Sequence, residues 1–477
     1  MSPGPPKVAS ATDPVPGSTA PEAWASLVRL ASLAGRPLER FLHVEAASGV
    51  LLLLAAALAL LAANSPWAEG WGGFWRTPLG IRVGPFAFER TLEWVVNDGL
   101  MAIFFFVVGL EIRREIHRGE LSEWRRAALP AAAALGGVTA PALLYLLVAG
   151  ASETRVGWGV PMATDIAFAV GVLGLLGKRV PAALRVLLLA LAIIDDLVAI
   201  LVIALFYSGG LSAASLLFAA VGFLGVFAMQ RFGVRSKLAY IVPSVVAWAG
   251  IYAGGIHPTI AGVIVGLITP VRAWLGPSGF LDVAREQVAR LEQRGAARID
   301  TRELTVTLHH IDHARREAMA PSEALIHALH PWVAFVIMPV FALANAGVTL
   351  SSGAMDETSW RVLFAVGLGL VVGKPVGVVL ASWLAIRLRV ALLPIGLTVR
   401  HLWVLGVVAG VGFTMALFIA QLAFADARLL AGAKLGVLAA SAVAGVLALL
   451  LGRFLLAPVT MPGAAQTADE AEQSTVA

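Results

Sequence analysis

The sequence contains no cysteine. Disulfide frameworks and thiolate metal centres are therefore excluded. Charge is also scarce. Asp, Glu, Lys and Arg make up 14% of the 477 residues, against roughly 25% in a soluble globular domain. The first forty residues, beginning MSPGPPKVASATDPVPGSTAPEAW, hold no early apolar core. They do not read as a cleavable signal peptide, and their Pro, Ser, Ala and Gly content reads as a disordered tail. What is abundant is hydrophobicity, 59% of residues, with a mean hydropathy of +0.84. Apolar stretches of about 18 or more residues recur, each long enough to cross a bilayer as a helix. Lipid offers backbone amides no partner, so spans must satisfy their own hydrogen bonds as helices. The fold class expected is an all-α polytopic membrane protein.

Twelve spans are expected, beginning near Val44, Leu92, Arg126, Val156, Ala182, Leu211, Leu238, Ile256, Ala328, Arg361, Val399 and Lys434. The net charge of +5 does not point to nucleic acid, because the basic residues sit in short loops between apolar runs. Arg113, Arg114, Arg118, Arg125 and Arg126 fill one loop. Lys178, Arg179 and Arg185 fill another. Arg231, Arg235 and Lys237 follow, then Arg387, Arg389 and Arg400. Alternate loops are nearly free of Lys and Arg, apart from the first. The positive-inside rule then places both termini in the cytoplasm, and the expected location is a bacterial inner membrane.

The transmembrane domain expected is 44–456, between an N-terminal tail (1–43) and a disordered C-terminal tail (457–477). Two hydrophilic segments interrupt it. Residues 64–91 include GIRVGPFAFER, and alternation on both sides of Gly84-Pro85 predicts a small outer β-hairpin. Residues 271–327 form a long charged insertion. There Leu281, Ala284, Val288 and Leu291 share one helical face, and so do Leu304, Leu308 and Ile311. Asp300 followed by Glu303 resembles a capping box. Two amphipathic helices lying on the membrane or on the rest of the protein are expected.

Four ionisable residues lie deep in apolar spans: Asp165, Asp195, Asp196 and Lys374. Asp98 lies nearer the start of its span. A charge at the membrane centre costs a few kcal/mol on insertion scales. A structural ion pair would account for any one of them. Three acids facing one base suggest instead a site for something positive that comes and goes. Adjacent helical residues differ by about 100°, so Asp195 and Asp196 point different ways. One can line a cavity while the other reaches a partner, for which Lys374, in the glycine-rich GLGLVVGKPVG, is the natural candidate. Two spans look broken. GVPMATDIAF places Pro161 and Thr164 beside Asp165, and GVVAGVGFTMALF contains Gly406, Gly410 and Gly412. Interrupted segments in the two halves of a chain mark transporter sites, although such glycines also serve to pack helices closely.

Seven segments, in order, resemble the NhaA-type sodium/proton antiporters: LMAIFFFVVGLEIRRE, PMATDIAFAVGVLGLLG, ALAIIDDLVAI, GGIHPTIAGVIVG, HPWVAFVIMPVFALANAGV, GKPVGV and GVGFTMALFIA. The likeness covers roughly 44–270 and 328–456. It implies an inverted-repeat core of twelve helices whose fourth and eleventh members are unwound and cross. It implies that Asp196 is the principal cation-binding carboxylate. Asp195 is then the second acid, associated with Lys374 and with proton coupling. Thr164 and Asp165 lie beside the site. Glu111, Arg114 and Glu115 would belong to a pH-responsive region, to which His257, His327 and His330 are assigned on the same ground. A packing role suits His257 equally well. The sequence departs from the family at Ile326, where members often carry an acidic residue, and in the length of 271–327.

The activity implied is exchange of sodium or lithium for protons, with more than one proton per ion and hence electrogenic. No cofactor is expected. The transported ion would be held by Asp196, Asp195 and Thr164, and protons and cation would compete for the same oxygens. A hard cation prefers oxygen ligands. The partners expected are these ions, the lipid bilayer and a second copy joined through the hairpin. Three other readings stay open: another monovalent cation/proton antiporter, a cation channel, although nothing repeats like a selectivity filter, and an intramembrane aspartyl protease using Asp165 with Asp196.

Overall fold

The computed structural model describes residues 45–456 apart from 85, 151, 211, 235, 295–299 and 350–354. The two expected tails lie outside the described residues. The chain is helical almost throughout, as a backbone in lipid must be. Among the described residues, seven helices are long and apolar enough to cross a membrane. They are α3 (Leu92–Arg118), α4 (Trp124–Ala149), α7 (Ala182–Phe206), α8 (Ala213–Arg231), α13 (Pro321–Asn345), α14 (Glu357–Arg387) and α17 (Ala427–Leu455). Three bent pairs raise the number to as many as ten if each pair is one span.

The first pair joins α1 (Glu45–Ala63) to the short α2 (Ala68–Trp75) through a 118° bend. The others join α5 (Glu153–Met162) to α6 (Ile166–Leu175) at 46°, and α15 (Val399–Ala409) to α16 (Phe413–Ala423) at 48°. Two shorter apolar helices, α9 (Leu238–Ala253) and α10 (Thr259–Ile268), lie between.

Helices of similar polarity to the lipid around them associate by close packing, which favours small residues at their contacts. Gly136 of α4 and Gly377 of α14 face each other so tightly that a methyl on either would collide with the other's backbone. Gly373 packs the same way on Pro141, and Gly369 on Pro161. These contacts bring α14 against α4 and α5, which sets the height of Lys374. The turn just before Lys374, Gly369–Gly373, is π-helical, as are Val95–Leu100 and Val333–Ile337. Such bulges often sit at functional sites, and the sequence carries no clear mark of them.

The hairpin forms where alternation predicts it. β1 (Pro78–Val83) pairs antiparallel with β2 (Phe86–Thr91), Pro78 opposite Thr91 and Val83 opposite Phe86. Gly84 takes φ +59° at the turn, a conformation that favours glycine. Arg90 ties the hairpin down. Its guanidinium donates to the Tyr252 hydroxyl (2.7 and 2.9 Å) and covers the rings of Phe88, Trp94 and Tyr252.

Two helices also occupy the long insertion, α11 (Gly276–Arg294) and α12 (Thr301–Ala318). They pack on each other over the buried Gln287, Thr307 and Ala314. On their apolar stripes Leu281, Val288, Leu304 and Leu308 are between 40 and 55% exposed. Asp300 stands at the N-cap of α12, yet its side chain makes no capping bond.

Candidate functional site

Each broken helix leaves backbone groups without helical partners, and the two breaks supply one another. The Asp165 amide donates to the Val411 carbonyl (2.8 Å). The Thr164 hydroxyl faces the Ala409 carbonyl at the end of α15 (2.9 Å). Gly410 and Gly412 line this passage. A side chain at Gly410 would meet the Leu370 carbonyl, and one at Gly412 the Ala163 carbonyl. Gly406 is different. It lies inside α15 and packs on Pro375, so its role is close helix approach and it does not belong to the break.

Helix N-termini carry partial positive charge and C-termini partial negative charge. Asp165 answers two N-termini at once. Its Oδ1 accepts from the Phe168 amide of α6 (3.0 Å). Its Oδ2 accepts from the amide (3.1 Å) and hydroxyl (2.5 Å) of Thr414, at the head of α16. The Phe413 amide is taken up by Ser441 Oγ (3.1 Å). The opposite polarity is met by Lys374, whose ammonium donates to the Met162 carbonyl at the end of α5. Thr414, Ser441 and Met162 escaped the sequence reading. The signal for Thr414 was a lone hydroxyl residue next to the glycine break.

The unbroken helix α7 brings Asp195 and Asp196 to the same level. Asp195 Oδ2 lies 2.7 Å from Lys374 Nζ and accepts from the Thr164 hydroxyl (2.7 Å). Asp196 points elsewhere. Among the described residues neither of its buried oxygens has a hydrogen-bond partner, nor does Asp195 Oδ1. Each of these carboxylates is about 1% exposed or less, and Lys374 is fully buried. Asp196 lies within electrostatic reach of Asp195, Glu111, Asp165 and Lys374. The cluster therefore holds one carboxylate neutralised by a lysine, one spent on helix ends, and one uncommitted. Uncommitted buried oxygens are the chemistry a small desolvated cation or a proton satisfies.

The residues assigned to pH response lie on three segments of the chain. Glu111, Arg114 and Glu115 lie along the last turns of α3, and Glu115 Oε1 accepts from the Glu120 amide (2.6 Å). His257 is on another element. Its Nδ1 faces Thr259 Oγ1 (2.8 Å) and its Nε2 faces Asp98 (3.4 Å). His327 and His330 are exposed near the start of α13, and Ile326 beside them is buried.

A multi-pass helical protein with half-helix ends meeting beside buried charges has the build of a membrane transporter. Residues 39–451 match the family described as Na+/H+ antiporter 1. The chain is 69% identical to "Na(+)/H(+) antiporter NhaA 2" of Myxococcus xanthus (strain DK1622), over 98% of this chain and 99% of that one. It is 55% identical to the protein of that name from Sorangium cellulosum (strain So ce56), over 95% and 97%. It is 50% identical to "Na(+)/H(+) antiporter NhaA" of Janthinobacterium sp. (strain Marseille), over 92% and 96%. This chain belongs to the Na+/H+ antiporter family, a family of membrane transporters and not of enzymes. The protease reading also fails on geometry, because both oxygens of Asp165 are already bound to the half-helices.

Proposed function

We propose that this protein exchanges sodium for protons across a bacterial inner membrane, with Asp196 as the carboxylate that binds ion or proton in turn. The observation that carries the reading is the pair of unpartnered, buried Asp196 oxygens beside the neutralised Asp195–Lys374 pair. Sodium would sit against Asp196, with Asp195 Oδ1 and the Thr164 hydroxyl in reach of the same region. A proton arriving at Asp196 removes the charge that holds the cation, and a cation arriving displaces the proton. Lys374 keeps Asp195 from becoming a second, competing trap and joins it in the proton side of the cycle. Asp165 is a fixed counter-charge for α6 and α16, and thus positions the breaks. Lithium is small and hard enough for the same oxygens.

We read twelve spans, taking the seven long helices, one span for each bent pair and the two short apolar helices. α2 then lies across the membrane face. Tracing these spans puts the basic loops at one end, apart from the hairpin segment with Arg76, Arg82 and Arg90, and we take that end as cytoplasmic with both termini. The hairpin is at the outer end, and its two strands leave free edges on which a second copy can add strands to form a homodimer. The two broken helices make the centre of an inverted-repeat core that rocks around the site. More protons than sodium per cycle would let the inside-negative potential drive extrusion, at about 2.3 kcal/mol per charge per 100 mV.

The test is ion-driven proton movement in proteoliposomes, comparing Na+, Li+ and K+ across pH, for wild type and Asp196→Asn. Saturable, proton-coupled exchange in wild type and its loss in a folded Asp196→Asn protein are expected. Exchange near the wild-type rate in that variant would sink the assignment. Uncoupled, non-saturating flux would favour a channel.

A further inference from the structure

A second polar cluster lies two helical turns beyond the site, toward the hairpin end, and the exchange reading leaves it unused. Asn97 sits in the π turn at the head of α3, Asn345 at the end of α13, and Gln421 near the end of α16. Asn345 Nδ2 donates to Asn97 Oδ1 (2.7 Å) and to the Phe341 carbonyl (2.9 Å). Asn97 Nδ2 returns a long bond to Asn345 Oδ1 (3.4 Å). Gln421 Nε2 donates to the same Asn345 oxygen and reaches Glu93 at 3.5 Å. Lys434 of α17 flanks the group, 9% exposed, with Glu93 as the charge it faces.

Between this cluster and the site is an aromatic layer. α16 runs from Thr414, bonded to Asp165, through Phe418 to Gln421, a rise of about 10 Å. The Phe418 ring packs against Phe105 (5.5 Å between centroids), Phe341 (6.2 Å) and His257 (5.2 Å). Phe105, Phe341, Phe418 and Asn345 are at most 1% exposed. An ion leaving the site toward the hairpin end along α16 meets first these rings and then the amides.

We propose that these residues are the outer gate of the transport path: Phe105, Phe341 and Phe418 as a water-excluding layer, and Asn97, Asn345 and Gln421 as a clasp holding α3, α13 and α16 together over it. The proposal rests on the exchange reading for its direction of transport. The choice of side chains follows from the need to open. Amides satisfy one another when the clasp is closed and are satisfied by water when it parts. Interhelical hydrogen bonds of this kind are individually weak in membranes, so such a clasp can break in every cycle. Apolar side chains there would resist wetting in the open state. Here the gate is closed.

The cysteine-free sequence makes a clean test. Ala342→Cys puts a fully buried thiol one turn inside Asn345 on the same helix. Its rate of modification by a membrane-impermeant thiol reagent is measured in right-side-out vesicles, and again in inverted ones. Asn345→Ala, and separately Gln421→Ala in case the first does not fold, should raise the rate from the outer side roughly tenfold, the order expected for losing two or three such bonds. A paired Asn97→Cys and Asn345→Cys, once cross-linked, should abolish exchange, and reduction should restore it. An unchanged outer rate in both alanine variants, together with exchange that survives the cross-link, overturns the gate and leaves the amides as interhelical packing. Faster modification only from the cytoplasmic side also overturns it. The labelling rates need no ion flux. If they rise while wild type moves no sodium, the gate stands and the exchange reading falls.

Discussion

Lys374 and Asp195 offer the sharpest test of how this core is held together. Their charged atoms are 2.7 Å apart with both side chains fully buried. Lys374→Ala leaves Asp195 either charged in a dry interior or obliged to take a proton. For a carboxyl of ordinary pKa near 3.9, taking a proton at pH 7 costs roughly 4 kcal/mol. That matches the roughly 3–5 kcal/mol seen when one partner of a buried pair is removed. The Met162 carbonyl also loses its donor, adding about 1 kcal/mol. Asp195→Asn in the same background removes the charge and should restore most of the larger loss. The assay is the thermal unfolding midpoint of wild type, both single variants and the double variant, in one detergent at pH 7 and pH 5. Lys374→Ala should be the least stable at pH 7, with the double variant above it. The sign with pH follows from the protonation. The unfolded chain releases that proton above about pH 4, so the deficit of Lys374→Ala grows as pH rises and shrinks to about 1.5 kcal/mol from this source at pH 5. A double variant no more stable than Lys374→Ala at pH 7, or a deficit that does not shrink at pH 5, would refute the pairing argument.

The remaining tests address other parts of the molecule. Asp165→Asn keeps one acceptor oxygen for the two half-helices, whereas Asp165→Ala keeps none. The alanine variant should melt lower than the asparagine variant, and equal midpoints would show that the helix ends do not need it. Replacing 276–318 by a short Gly/Ser linker should leave exchange and its pH profile intact, because the Leu275 amide and the Glu317 carbonyl already meet at the base (3.1 Å). A shifted profile would implicate His309, His310 and His313, and loss of exchange in a folded protein would show the segment is not separable. Asp356 caps the head of α14, accepting from the amide (2.8 Å) and hydroxyl (2.7 Å) of Ser359, and the Ser359 bonds hold its carboxyl down at about 2. Its stabilisation is present above the unfolded value near 3.8 and fades as pH falls toward 2. Asp356→Ala should therefore lower the midpoint at pH 7, with the difference from wild type narrowing below pH 4. A pH-independent difference would mean the cap is not the cause.

Some features could be read from the residues alone because local rules decide them. Long apolar runs in a chain with 14% charge must be membrane helices, since lipid leaves the backbone no other way to bond. Alternation about Gly84 makes a hairpin wherever it is placed. Carboxylates among apolar neighbours had to be functional or paired, and the 100° step between Asp195 and Asp196 required them to differ. Other features depend on which helices touch, and no local pattern contains that. The tight approach of α14 to α4 and α5 puts the Lys374 ammonium on Asp195 and on the Met162 carbonyl, leaving Asp196 uncommitted. The meeting of the two breaks gives Asp165 two helix ends to cap at once and moves Gly406 from the break to a packing surface. The same reason separates Asp98 and Asn97, one residue apart in sequence. Asp98 turns to His257 and Asn97 to Asn345, because neighbouring positions on one helix face different helices once the bundle is assembled.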